Sequence, residues 1–221
     1  MHQTAIDFVV AKDIHLEGIF TKPNNSYKRF PTVVVCHPHP LLGGNMEHPL
    51  ITTICRIAHR ENIGSLRFNF RGVGRSEGVF SNGDQEQKDV KAALKISKLM
   101  PGTDVTRLAL LGYSFGASIV LQGLHRYKDT KSLVLISPPI ASVLKSRIIK
   151  DKRHKMFIVG QNDGVVSSIE LQRVLDHIQH PVRFHEIQNA KHDFLGETEE
   201  VAERVVEFLL ETLEVHSISP S

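Results

Sequence analysis

The sequence has no tryptophan, only two cysteines and no long uninterrupted run of apolar residues. A disulfide-rich secreted domain would need more cysteines at regular spacing, so Cys36 and Cys55, which lie in apolar stretches, are expected to be free buried thiols. No apolar run approaches the roughly 20 residues that a membrane-spanning helix needs. Residues 1–11 also lack the basic and apolar regions of a signal peptide. We therefore expect a cytoplasmic protein that has no membrane partner.

A strong excess of either charge is missing as well. The chain has 27 Lys and Arg residues against 24 Asp and Glu residues, which gives a formal net charge of +3. A nucleic-acid-binding protein would show a basic stripe, and this balance does not indicate one. The length of 221 residues and the 41% of hydrophobic residues suit one globular domain. We expect a single domain over residues 1–221, a monomer or homodimer, with no nucleic-acid partner.

Short apolar segments alternate with longer amphipathic segments, which indicates strands alternating with helices. One segment, TVVVC, is typical of a strand buried on both faces. The alternation predicts an α/β/α sandwich around a mostly parallel sheet, and the first two strands add an antiparallel edge. Strands are predicted at Gln3–Ala11, Ile14–Thr21, Thr32–Cys36, Ser65–Phe70, Arg107–Leu111, Ser132–Ile136, Lys155–Val159 and Val182–Ile187. Helices are predicted at Pro49–Arg60, Asp84–Leu99, Phe115–His125, Ser167–Ile178 and Thr198–Leu213.

The pattern G-x-S-x-G occurs at Gly112–Gly116, directly between a predicted strand and a predicted helix. A serine on such a sharp turn is held in strained backbone geometry and is exposed above the sheet, where it can act as a nucleophile. Its flanking glycines let neighbouring segments pass without a Cβ in the way. An incidental serine in a glycine-rich turn is the alternative, but the strand before it and the helix after it favour Ser114 as the nucleophile.

A serine nucleophile needs a base, and the base needs a carboxylate that orients it. His192 follows the last predicted strand, so it lies at the same sheet edge as Ser114. Asp163 follows the preceding strand in the chain, although it could also be only a turn-forming Asp-Gly. Asp193 adjoins His192 and cannot easily reach back to its ring. The chain order Ser114, Asp163, His192 is the order found in α/β-hydrolases.

An oxyanion intermediate needs two N–H donors that are already in place. The backbone N–H of Phe115, directly after the nucleophile, is the first candidate. The second is expected in the loop HPHPLLGG that starts at His37. Because prolines have no N–H, His39 is the first choice there and Leu41 the second. A metal site at the two histidines of this loop is a weak alternative, since no acidic or thiol partner is nearby. We expect no metal and no cofactor.

The sequence resembles the α/β-hydrolase superfamily along nearly its whole length. More narrowly, it is similar to the small, lidless dienelactone-hydrolase-like members and their esterase and prolyl-oligopeptidase-type relatives. The resemblance implies the strand order 1-2-4-3-5-6-7-8 and hydrolysis of an ester, thioester or amide. Dienelactone hydrolases proper use a cysteine nucleophile, whereas this chain has Ser114. The matching residues are His37–Pro40, Phe70–Ser76, Gly112–Gly116, Asp163 and Ala190–Phe194.

Basic residues near these motifs have two interpretations. Arg71 and Arg75, in the loop that matches the family after its fourth strand, are expected to form structural ion pairs, with contact to an acidic substrate as the alternative. The segment Lys145–Lys155 carries six Lys and Arg residues and is expected to be a solvated loop, with an anionic partner or substrate as the alternative. The same region is too short for a cap domain.

Together these residues predict a serine hydrolase that cleaves carboxylic esters of small substrates through an acyl-enzyme. Ser114, His192 and Asp163 would form the triad, and Phe115 and His39 the oxyanion hole. A peptidase or thioesterase with the same triad is one alternative. A non-catalytic α/β-hydrolase fold used for binding is another.

Overall fold

The computed structural model describes residues 2–11, 14–23 and 29–215. Within these ranges, eight strands form one sheet in the order β1-β2-β4-β3-β5-β6-β7-β8. This confirms the predicted α/β fold and the strand order that the resemblance implied. The strands are β1 (His2–Ala11), β2 (Ile14–Lys22), β3 (Phe30–Cys36), β4 (Gly64–Phe68), β5 (Thr103–Tyr113), β6 (Thr130–Ile136), β7 (His154–Gly160) and β8 (Val182–Ile187).

The sheet is antiparallel at its N-terminal edge and parallel elsewhere. β1 pairs with β2, and β2 pairs with β4, in antiparallel register. From β4 across to β8 every neighbouring pair is parallel. Every residue of β3 is buried, as its apolar β-branched sequence predicts. The loops that follow β3 to β8 therefore all start at one edge of the sheet, which we call the carboxyl edge.

Helices cover both faces of the sheet and complete three layers. α1 (Pro49–Arg60) and α6 (Thr198–Thr212) bury their apolar sides against one face. The other four contribute to the core on the opposite face: α2 (Glu86–Leu99), α3 (Phe115–Gln122), α4 (Ile140–Lys145) and α5 (Ser168–Leu175). α3 ends earlier than predicted, because its backbone departs from helical geometry at Gly123. No helix in the described ranges is both long and apolar enough to cross a membrane.

The segment between β6 and β7 differs from the predicted loop. It forms α4 and a short 3-10 turn at Arg147–Lys150. Lys155, the last basic residue of the predicted solvated loop, instead lies fully buried in β7. The Lys155 amine donates hydrogen bonds to the carbonyl oxygens of Arg153 and Gln179, each at 2.8 Å. A lysine can be buried in this way because carbonyl oxygens replace the water that its ammonium group loses.

Candidate active site

Ser114 lies on a one-residue turn between the end of β5 and the start of α3. Its φ of 52° and ψ of −110° place it in a backbone conformation that costs a non-glycine residue roughly 1–3 kcal/mol. The surrounding structure holds this conformation: the Ser114 N–H donates to the carbonyl oxygen of Ile136 at 2.8 Å. The strained turn raises the serine side chain above the carboxyl edge.

The two glycines of the motif are needed because backbone approaches them closely. A Cβ added to Gly112 would lie 2.6 Å from the backbone of Ala117, and one added to Gly116 would lie 2.3 Å from the carbonyl oxygen of Cys36. Both distances are far below van der Waals contact, so a side chain at either position would force the turn apart. The prediction that these glycines let neighbouring segments pass is confirmed.

His192, in the loop after β8, contacts the serine directly. Its Nε2 lies 2.9 Å from Ser114 Oγ. The loop is anchored from below, because the Tyr113 hydroxyl donates to the carbonyl oxygen of His192 at 2.6 Å. The imidazole side chain is 26% exposed, so one side of it is accessible to solvent and to a small molecule.

Asp163, in the loop after β7, lies behind the imidazole and has a fully buried side chain. Its Oδ2 is 2.8 Å from His192 Nδ1 and also accepts the hydroxyl of Ser137 at 2.8 Å. Its Oδ1 accepts the backbone N–H groups of Val165 and Val166 at 2.8 and 2.9 Å. These donors orient the carboxylate and satisfy both of its oxygens.

The environment of Asp163 keeps the carboxyl group ionised. Burial by itself would raise its pKa, but the hydrogen bonds from His192, from the two backbone N–H groups and from Ser137 outweigh burial and lower the pKa below its usual value. An ionised acceptor at His192 Nδ1 requires the ring proton on that nitrogen, which leaves the Nε2 lone pair directed at Ser114 Oγ. The arrangement is suited to remove the serine proton.

The two residues predicted to supply the oxyanion donors contact each other through their side chains. The side-chain rings of His39 and Phe115 have centroids 5.1 Å apart. Among the described residues, no acceptor takes the backbone N–H of either one. The N–H of Leu41, the second choice in this loop, already donates to His39 Nδ1 at 3.2 Å. Of the two alternatives that the sequence left open, the geometry favours His39.

His37 ties the loop that carries His39 to the neighbouring loop. It is fully buried, its Nδ1 donates to the Pro38 carbonyl oxygen at 2.7 Å, and its Nε2 accepts the N–H of Phe70 at 3.1 Å. Burial lowers the pKa of His37 to about 4, so the ring is neutral at physiological pH. Both ring nitrogens are engaged, which leaves this histidine a structural role.

Two residues that support the site were not singled out from the sequence. Ser137, which bonds Asp163, lies in the loop after β6, and Tyr113 precedes the nucleophile. Tyr113 lies inside the G-x-S-x-G motif and could have been noted, whereas no pattern marks Ser137.

The two arginines near the motifs contact carboxylates of the protein itself. Arg71 forms a buried ion pair with Asp89, and Arg75 pairs with Glu17, as predicted. Burial against Asp89 leaves Arg71 unable to bind an acidic substrate, whereas Arg75 contacts Glu17 through Nε and keeps a side chain that is 78% exposed.

This chain is similar to a known protein family and to bacterial proteins. A family model described as "Serine aminopeptidase, S33" matches residues 31–155. The uncharacterized protein RP471 of Rickettsia prowazekii (strain Madrid E) is 30% identical over 203 residues, which are 88% of this chain and 84% of that protein.

Two solved structures share the whole fold. An alpha-beta serine hydrolase homologue from Coxiella burnetii is 30% identical with a TM-score of 0.79, over 94% of this chain and 97% of that one. XC6422 from Xanthomonas campestris, a serine hydrolase without a lid, is 23% identical with a TM-score of 0.83, over 100% and 98% of the two chains.

Proposed function

The chain belongs to the α/β-hydrolase family described as serine aminopeptidase S33, and we propose that it is a serine hydrolase that cleaves carboxylic esters of small substrates. The observation that carries the proposal is the 2.9 Å contact between Ser114 Oγ and His192 Nε2. Behind it, Asp163 orients the imidazole. A serine that is held in a strained turn and bonded to an oriented base has the arrangement that nucleophilic catalysis needs.

The proposed reaction proceeds in two halves. Ser114 Oγ attacks the ester carbonyl carbon as its proton moves to His192 Nε2, and the resulting imidazolium then protonates the leaving alcohol oxygen. Water next attacks the acyl-enzyme, gives one proton to His192 and releases the acid, and that proton returns to the Ser114 oxygen. Asp163 stays ionised throughout and stabilises the imidazolium.

The oxyanion of each tetrahedral intermediate would accept the backbone N–H groups of Phe115 and His39. Mutational losses for one such donor are typically about 2.7–4 kcal/mol of transition-state stabilisation. The hydrogen bonds of His37 and the contact between the His39 and Phe115 rings hold both donors in place before substrate arrives. All of these groups come from loops of one α/β unit, so the proposal needs no cap domain.

Exposed apolar side chains in the loops at the carboxyl edge bear on the substrate. Among the described residues, six large apolar side chains are at least 66% exposed, and five of them lie in loops at the carboxyl edge. We call these five the apolar rim: Leu41, Leu42, Val79, Val165 and Leu195. Rim residues follow His39, Asp163 and His192 by two or three positions in the chain. A substrate with an uncharged apolar group fits these surroundings.

Fluorophosphonate labelling tests the nucleophile. The reagent should form one adduct on Ser114, found by mass spectrometry of the digested protein, and Ser114→Ala should lose both labelling and ester hydrolysis. Ser118→Ala is the matched control, because Ser118 lies one helical turn further along α3 and its hydroxyl bonds Ser142. Labelling of another serine, or the absence of any adduct, would refute the proposal and favour the non-catalytic alternative.

Substrate panels separate the remaining alternatives. Matched p-nitrophenyl esters, thioesters and aminoacyl anilides should show the highest kcat/KM for esters. A peptidase or thioesterase with the same triad would instead be fastest on its own substrate class.

The apolar rim is tested by the ratio of kcat/KM for p-nitrophenyl hexanoate to that for the acetate. Leu42→Ser should lower this ratio about fivefold, which corresponds to roughly 1 kcal/mol of lost apolar contact. Leu99→Ser is the control, because Leu99 is 69% exposed but lies at the end of α2, away from the carboxyl edge. An equal change of this ratio in both variants would contradict a contact between the apolar rim and the acyl chain of the substrate.

A further inference from the structure

A cavity of about 770 Å³ opens at the sheet edge opposite to Ser114. Residues 124–128, after α3, form one wall, and residues 146–153, before β7, form the other. β6 and β7 are parallel and begin directly after these segments, so the cavity lies at the amino ends of the strands. Its volume is within the range of about 300–1,000 Å³ that is typical of small-molecule sites.

Positive charge is concentrated on both walls. Lys128 lies on one wall, Arg147 and Lys150 on the other, and His125 is close to the first. Within the part of the chain that the structure describes, none of the three cations has a carboxylate within 4.0 Å. The single acidic residue of the lining, Asp151, is bound by Arg153 through both carboxylate oxygens. The cavity therefore presents unpaired positive charge, which raises the local concentration of anions.

Arg153 also joins the two walls into a fixed frame. Its Nη1 donates to the carbonyl oxygen of Tyr127 at 2.8 Å and to the hydroxyl of Thr130 at 2.7 Å. The guanidinium and the Asp151 carboxylate are only 16% and 13% exposed, which indicates a structural pair rather than a ligand contact. Lys128, Arg147 and Lys150 are therefore carried by segments that Arg153 already connects when no ligand is bound.

Apolar surface lies beside these charges. Leu124, almost fully buried, and Ile149, which is 38% exposed, contribute to the lining. A site that combines three cations with apolar surface is suited to a ligand with both an anionic and an apolar part. Phosphate matches the cations better than one carboxylate does, because its two charges can contact two walls and arginine binds it through two parallel N–H groups.

We propose that this cavity is a binding site for a small organic phosphate. The phosphate contacts Lys128, Arg147 and Lys150, and the organic part packs on Leu124 and Ile149. The site shares no residue with the proposed triad, so it stands independently of the ester-hydrolase proposal. It also gives a role to the basic segment that the sequence analysis singled out, at a place remote from the serine.

Calorimetric titration of the full chain at 150 mM salt tests the site. The probes are 1-naphthyl phosphate, inorganic phosphate and the neutral 1-naphthol. We expect saturable binding of 1-naphthyl phosphate, at least fivefold tighter than that of inorganic phosphate, and weaker binding of 1-naphthol. Absence of saturable binding at millimolar concentration, or equal affinity for 1-naphthol, would overturn the proposal.

Charge-reversal variants locate the binding. Arg147→Glu and Lys128→Glu, one on each wall, should each weaken 1-naphthyl phosphate at least tenfold. Lys152→Glu is the matched control, because it makes the same change of charge in the same segment but does not line the cavity. We expect it to change affinity less than twofold. Equal weakening by all three variants would show a general charge effect and refute a built site. The melting temperature of each variant should stay close to that of the wild type, which shows that the fold is intact.

Discussion

Replacing Asp163 with asparagine tests the proposed triad with the smallest change in shape. The asparagine side chain keeps one carbonyl oxygen, which can still accept the N–H groups of Val165 and Val166. Its amide nitrogen then takes the place of Oδ2, between the Ser137 hydroxyl and His192 Nδ1. The variant should therefore fold, because the hydrogen bonds that hold this loop mostly survive.

The catalytic loss should be large, because an amide N–H facing His192 Nδ1 selects the wrong tautomer. The ring proton would move to Nε2, which then cannot accept the proton of Ser114. An imidazolium would also lose the negative charge that lies 2.8 Å from Nδ1. Loss of the orienting carboxylate reduces turnover about 10⁴-fold in known triads, which corresponds to about 5 kcal/mol of transition-state stabilisation.

The assay is hydrolysis of p-nitrophenyl butyrate, with kcat and KM measured separately and thermal unfolding recorded for each variant. We expect kcat to fall about 10⁴-fold with KM little changed and the melting temperature close to that of the wild type. Asp193→Asn is the control, since Asp193 adjoins His192 but its carboxylate accepts the N–H of Leu195. Near-normal turnover of Asp163→Asn, or an equal loss in Asp193→Asn, would refute the assigned role.

Two further predictions concern the loop that carries His39. Gly44→Ala should lower kcat at least tenfold, because the added Cβ would lie 2.2 Å from the carbonyl oxygen of Pro38 and would displace the loop. Gly196→Ala is the control: its added Cβ has no atom within 4 Å, so its kcat should match that of the wild type. The free energy of unfolding should fall as the pH drops from about 6.5 to about 4. In this range His37 binds a proton in the unfolded chain but stays neutral when it is buried in the folded protein. His37→Gln removes this contribution, of at most about 3 kcal/mol, so urea unfolding at pH 7 and pH 4.5 should show its stability deficit shrinking at the lower pH. A deficit that is the same at both pH values would contradict the neutral His37.

The fold was predictable because its signals are local. A buried parallel strand such as β3 needs a continuous apolar run, and alternation with amphipathic segments implies helices on both faces. α4 was not predicted, since it has only six residues and is stabilised by packing on α3 and α5 rather than by its own sequence. Lys155 was correctly placed in a strand, but its burial was not predicted, because the carbonyl groups that accept its amine include that of Gln179, which lies far along the chain.

The candidate site also has one part that could be predicted from the sequence and one part that could not. Ser114, Asp163 and His192 could be selected from the sequence, because each follows a strand and parallel strands bring those positions to one edge. The sequence ranked His39 before Leu41 as the second oxyanion donor but could not decide between them, because the decision depends on a hydrogen bond from the Leu41 N–H to the His39 ring. The sequence alone thus determined which residue types meet at the carboxyl edge. Only the tertiary structure decided their supporting contacts, such as that of Ser137, because these form between loops that folding brings together.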